Sequence, residues 1–98
     1  MFVVTVEFKL HAEHFDEFIE AVQVQAKNSL ELESACHSFD VALAADGSSS
    51  VFLYECYSTS SDFDLHLQSQ HFRDFDQKVS PWVATKTVAK WQLSEGTP

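Results

Sequence analysis

Between Phe2 and Leu10, Phe2, Val4, Val6, Phe8 and Leu10 occupy one parity, and Val3, Thr5, Glu7 and Lys9 the other. A period of two predicts a strand with one strongly apolar face. From His14 to Leu32 the period lengthens: Phe15, Phe18, Ile19, Val22, Ala26, Ser29 and Leu30 trace one stripe of an α-helix, with charged and amide residues filling the rest. Acidic side chains crowd its first turns, where the helix dipole favours them, and neither Pro nor Gly interrupts it. Cys36–Ala44 alternates again, Asp46-Gly47-Ser48-Ser49-Ser50 supplies turn chemistry, and Val51–Tyr57 follows as the second arm of a predicted β-hairpin. Val51, Phe52, Leu53 and Tyr54 are apolar on both parities, which predicts a central strand buried on both faces. Ser60-Ser61-Asp62 offers a helix N-cap, with Ser61-x-x-Asp64 approximating a capping box. Phe63, Leu67, Phe72, Phe75 and Val79 continue at helical spacing to Pro81, with a break expected near Gln70. Thr85–Leu93 alternates as a last strand, and residues 94–98 form a polar tail expected to fray.

The order β-α-β-β-α-β predicts a ferredoxin-like α+β sandwich, two helices on one face of a four-stranded antiparallel sheet. Successive residues leave opposite faces of a strand, so Val51/Leu53 and Phe52/Tyr54 cannot all meet the helices. A second copy of the chain is the simplest cover for the other face, which predicts a two-fold homodimer through the sheets.

Composition narrows the function classes. The chain has 98 residues, one domain over 1–98, with nine Phe, two Tyr and two Trp, an aromatic load that argues for a packed core. Fifteen acidic against six basic residues leave a net charge of −9, which repels phosphate backbones and anionic lipid, so neither nucleic acid nor a membrane is an expected partner. Two Gly and two Pro leave no Gly-rich phosphate loop. The run Phe2-Val3-Val4 is too short for a signal or a membrane span, and the expected compartment is the cytoplasm. Cys36 and Cys56 form neither a CxxC pair nor a disulfide framework and read as small buried residues.

No metal signature stands in the sequence. His66 and His71 are five apart, which turns them ~140° from one another on an uninterrupted helix. Cys36 and His37 are adjacent on a strand and diverge. The chemistry therefore concentrates in Tyr54, Glu55 and Tyr57 of the hairpin's second strand and in His66 and His71, which a helix break near Gln70 would allow to converge. A His facing the sheet is a candidate general base, with Glu55 to orient it or hold it charged. Aromatic walls, Phe39 and Phe72 among them, would enclose a planar organic ligand. Gln25, at the edge of the first helix's apolar stripe, offers an amide to a substrate carbonyl, and Trp82 an indole at the pocket mouth. Each of these residues is also compatible with plain packing, the commoner role of such side chains, and Asp40 lies on its strand's polar parity, in solvent.

Ser29-x-x-x-Glu33-x-x-Cys36, Phe39-Asp40-Val41, Leu53-Tyr54-Glu55-x-Tyr57 and Phe63-Asp64-x-His66-Leu67-x-Ser69-x-His71-Phe72 together resemble the antibiotic biosynthesis monooxygenase family, from the first strand to about Trp82. Three positions depart from the family pattern: Gln25 for a usual Asn, Ala35 for a Gly, and Gln70 for a Pro before the second His. The resemblance implies a dimeric α/β barrel and a monooxygenase that needs no cofactor. It would oxidise a small aromatic phenol or quinol with O₂, with His66 or His71 as base. Tyr54, Gln25 or Trp82 would then hold the oxyanion. Two other activities follow from the same resemblance, isomerisation of a phosphorylated hydroxyketone signal and haem degradation. The scarcity of cations counts against the phosphate. A third alternative is a dimeric domain that binds a small aromatic ligand without turning it over.

Overall fold

The computed structural model describes residues 1–94, so the tail expected to fray lies, beyond Ser94, outside the described residues. The chain runs through β1 (Phe2–Leu10), a single 3₁₀ turn at Ala12–His14, α1 (Phe15–Leu32), β2 (Cys36–Leu43), β3 (Ser50–Tyr57), α2 (Ser60–Gln68), α3 (Gln70–Val79), a 3₁₀ turn at Ser80–Trp82 and β4 (Val83–Gln92). The sheet order is β2-β3-β1-β4, with every neighbouring pair antiparallel. This is the ferredoxin-like α+β arrangement expected from the element order.

One sheet face carries the core. Val4, Val6, Phe8 and Leu10 of β1 and Val51, Leu53 and Tyr57 of β3 are buried beneath Phe18, Val22 and Ala26 of α1 and Phe63 of α2. The buried stripe of α1 also takes in Gln25 and Ser29, whereas Leu30, expected on it, is exposed. The other face is open: Phe52 is 41 % exposed and Tyr54 half-buried, so β3 is central but is not buried on both faces within one chain.

Two boundaries, the α2 N-cap and the start of β4, differ from expectation, and the helix break lies where it was expected. The N-cap of α2 is Thr59, not Ser61: its hydroxyl accepts from the Asp62 backbone N–H at 3.3 Å, and Asp62 Oδ2 accepts from the Thr59 N–H at 3.0 Å. This capping box sits one position before the helix's first residue, where the free N–H groups are. The predicted break falls at Ser69, whose backbone is extended at φ −67°, ψ 149° and whose hydroxyl caps α3 by accepting from Phe72 N–H at 3.2 Å. The last strand begins two residues earlier than Thr85, at Val83, directly after the turn that contains Pro81. Among the described residues no helix is long and apolar enough to cross a membrane.

Candidate functional site

Between the core face of the sheet and α2/α3 lies a cavity of about 510 Å³ walled by Phe39, Leu53, Phe63 and Phe72, with His66 and Glu55 as its polar members and Lys86 and Lys90 of β4 at one side. That size suits a small organic ligand, for which sites of ~300–1,000 Å³ are usual.

The break at Ser69 determines what the histidines do. On one continuous helix they would diverge, but the extended residue between α2 and α3 resets the rotation. Both rings now turn toward Glu33, the residue that ends α1. His66 Nδ1 donates to Glu33 Oε2 at 2.7 Å. His71 Nε2 lies 2.7 Å from the same oxygen, off the line of its ring N–H, and so has no aligned hydrogen-bond partner although it is buried. The other nitrogen of His71, Nδ1, faces Gln25 Oε1 at 3.4 Å. The divergence expected of an uninterrupted helix is thus lifted by the break, as its position near Gln70 allowed, and Glu33, His66 and His71 bring three donor atoms within 4.8 Å of one another.

His66 is 2 % exposed, and burial lowers its pKa, opposed by the Glu33 carboxylate. The ring is thus held neutral. With Nδ1–H committed to Glu33, the lone pair rests on Nε2, the nitrogen left for the cavity. Glu55, 4 % exposed, is pushed up to about 7 by burial, against a hydrogen bond from Tyr57 Oη at 2.7 Å and the charge of Lys86. Burial likewise raises the Tyr57 phenol far above its ordinary value, so it keeps its proton and donates it to Glu55. The Cys36 thiol is pushed up to about 12, chiefly by burial, which leaves no thiolate for nucleophilic work.

Of the residues singled out in the sequence, His66, Glu55, Phe39, Phe72 and Gln25 line the cavity. The Gln25 amide is largely occupied, with Nε2 on Ser29 Oγ at 3.4 Å and Oε1 toward His71. His71 stands behind His66 and opens on a separate groove between α1 and α3. Two expectations are corrected. Tyr54 pairs with Thr5 and Asp40 on the open face, because its parity is opposite to that of Glu55. Trp82 stacks on His14 at 5.7 Å, at the far end of the α1/α3 groove, rather than at the cavity mouth. Three contributors went unassigned: Glu33, Lys86 and Lys90. Glu33 did carry a signal, since a carboxylate at the end of a helix opposes the dipole and calls for a compensating partner. Lys86 and Lys90 share the parity of Val88 on β4, the parity that faces the helices.

The family model for antibiotic biosynthesis monooxygenases matches residues 1–78. No curated protein matches. Among solved structures, a provisionally named antibiotic biosynthesis monooxygenase from Nitrosomonas europaea is 25% identical with a TM-score of 0.89, over 94% of this chain and 97% of that one. Rv0793 from Mycobacterium tuberculosis shares the fold at 18% identity and TM-score 0.88, over 99% of this chain and 98% of its own. A Deinococcus radiodurans protein named in the same provisional way reaches TM-score 0.90 at 13% identity, over 100% of this chain and 97% of its own.

Proposed function

The chain belongs to the antibiotic biosynthesis monooxygenase family, and on that premise we propose that it is a monooxygenase that oxidises a small aromatic phenol or quinol with O₂ and needs no cofactor. One observation carries the reading: an aromatic cavity into which a neutral buried His presents its unpaired Nε2. His66 Nε2 takes the phenolic proton, and Glu33 steadies the resulting imidazolium through the Nδ1 hydrogen bond. The phenolate then passes an electron to O₂, and the radical pair joins as a carbon-bound peroxide. Proton return from His66 and loss of water leave the quinone carbonyl. Lys86 and Lys90 supply positive charge on the cavity side where the oxyanion would lie, and Glu55, carrying its proton near neutrality, can donate a hydrogen bond there.

O₂ uptake measured over a panel of quinols and anthrone-like phenols tests this. His66→Ala is expected to lower kcat by ~10²–10⁴-fold, while Tyr54→Phe, on the other sheet face, leaves it unchanged. Uptake absent from the wild type, or undiminished in His66→Ala, would overturn the reading. Lys86 and Lys90 also favour a second activity, isomerisation of a phosphorylated hydroxyketone, since they place two of six cations where a phosphate could sit. Conversion of such a substrate with no O₂ consumed, lost in Lys90→Ala, would decide for it.

The working unit we propose is a homodimer closed over the open sheet face, where Phe52 and Trp91 are exposed.

A further inference from the structure

We infer that Glu33, His66 and His71 form a binding site for a divalent first-row transition cation, of which Zn²⁺ is the natural probe. Two imidazoles and one carboxylate are a donor set of the borderline character that such ions take. The three donors come from the end of α1, from α2 and from α3, and all lie within 4.8 Å of one another. Metal–ligand distances of about 2.1 Å at a tetrahedral angle place donors ~3.4 Å apart. Each 2.7 Å contact to Glu33 Oε2 therefore has to open by ~0.7 Å, and the two ring nitrogens, within 4.8 Å of one another, have to come to about the same ~3.4 Å.

The protonation pattern supplies an independent reason. Gln25 Oε1 is an acceptor, so the His71 nitrogen facing it, Nδ1, carries the ring hydrogen. In the neutral ring Nε2 then has a lone pair, 2.7 Å from a carboxylate oxygen that already accepts from His66. Two acceptors at that distance repel unless a positive species lies between or beside them. A proton on Nε2 is misaimed, because the oxygen sits off the ring's N–H axis, and this buried atom is without an aligned partner. An ion on that axis would have Oε2 at its side, within reach. Gln25 would hold the His71 ring in the ligating tautomer, the usual task of a residue behind a metal ligand. Access runs through the groove of about 470 Å³ between α1 and α3, which His71 lines beside Glu20 and Asp74. The acidic mouth and the negative end of α1 both favour a cation.

A consequence follows for the oxygenase reading, and it alone rests on that reading. With an ion on His66 Nδ1, the remaining ring hydrogen moves to Nε2, and the base in the cavity becomes a donor. The ion would act as a reversible off-switch.

Metal binding is read without any substrate, which keeps its failure distinct from failure of the oxygenase. Chelator-stripped full chain titrated with Zn²⁺ by calorimetry, and with Co²⁺ by visible absorption, is expected to take one ion per chain with imidazole-type ligand-field bands. Glu33→Gln and His71→Ala, checked for folding by circular dichroism, should each weaken binding at least tenfold, Gln25→Ala should weaken it ~10–100-fold, and His14→Ala should not weaken it. No stoichiometric binding, or wild-type affinity in Glu33→Gln or His71→Ala, would overturn the site. If saturating Zn²⁺ leaves O₂ uptake by the wild type intact, the off-switch is overturned.

Discussion

Glu55 holds its proton in the folded chain up to about pH 7 because burial penalises the carboxylate, and it loses that proton near the usual 4.5 once the chain unfolds. Below pH 4.5 both states are protonated and the residue contributes nothing to pH dependence. Between 4.5 and about 7 only the unfolded state ionises, so stability falls as pH rises. Above 7 the full penalty stays, on the order of 3 kcal/mol. Glu55→Gln should remove that slope and make the chain more stable than wild type above pH 7. Urea unfolding of both proteins at pH 4.5 and 7.5 checks it, and an equal pH response in the two would refute the assignment. Glu55 was legible in the sequence as a carboxylate in the polar cluster Tyr54-Glu55-x-Tyr57, but strand parity, which puts Tyr54 on the opposite face, removes Tyr54 from the cavity, a step the cluster conceals. Glu33 was hidden by distance along the chain: 33 residues separate it from His66, and no local pattern records which helix end a buried ring will find.

At the scale of elements, the α2/α3 break builds the site. Ser69 is a hinge with two hydrogen bonds, donating to His66 C=O at 2.7 Å and accepting from Phe72 N–H at 3.2 Å. Ser69→Ala should cost ~1 kcal/mol as a lost N-cap and also loosen the convergence of the rings. The Nδ1–H of His66, buried and held by Glu33, is expected to give a downfield proton resonance in the wild type that broadens in this variant. Thr59→Ala removes a cap of similar worth, ~1 kcal/mol, from the other end of α2 and should leave that resonance unchanged. Loss of the resonance in both variants, or in neither, would show that the hinge does not position the histidines. The break was foreseen near Gln70, because Phe72 and Phe75 continue the apolar spacing only after a change of phase. That a break there lets the two rings converge was also legible, but their meeting on Glu33 was not, since the rotation depends on one residue's ψ angle, which sequence leaves undetermined.

For the molecule as a whole, the element order and the apolar parity of β1 were enough to predict the sheet and its covered face. Phe52 and Tyr54 on the other face were legible only as residues needing cover, and Trp91, which joins them there, was not singled out. Trp91 is 56 % exposed even though its indole N–H donates to Thr5 Oγ1 at 2.9 Å, so the ring is oriented without being buried. A ring already fixed in place loses little further rotamer freedom on docking, and this favours association through that face. Phe52 stands opposite Glu7 on one neighbouring strand and Ala42 on the other. A second carboxylate there would set like charges side by side at the centre of the proposed two-fold contact. Phe52→Glu should therefore convert a two-chain particle into a single chain in light scattering while leaving the circular dichroism spectrum unchanged. Val24, 58 % exposed on α1, gives the control: Val24→Glu alters the helical side of the molecule and should leave the mass at two chains. A single chain in the wild type would sink the proposed dimer outright. Dissociation by Val24→Glu with Phe52→Glu still paired would move the interface from the sheet to the helices.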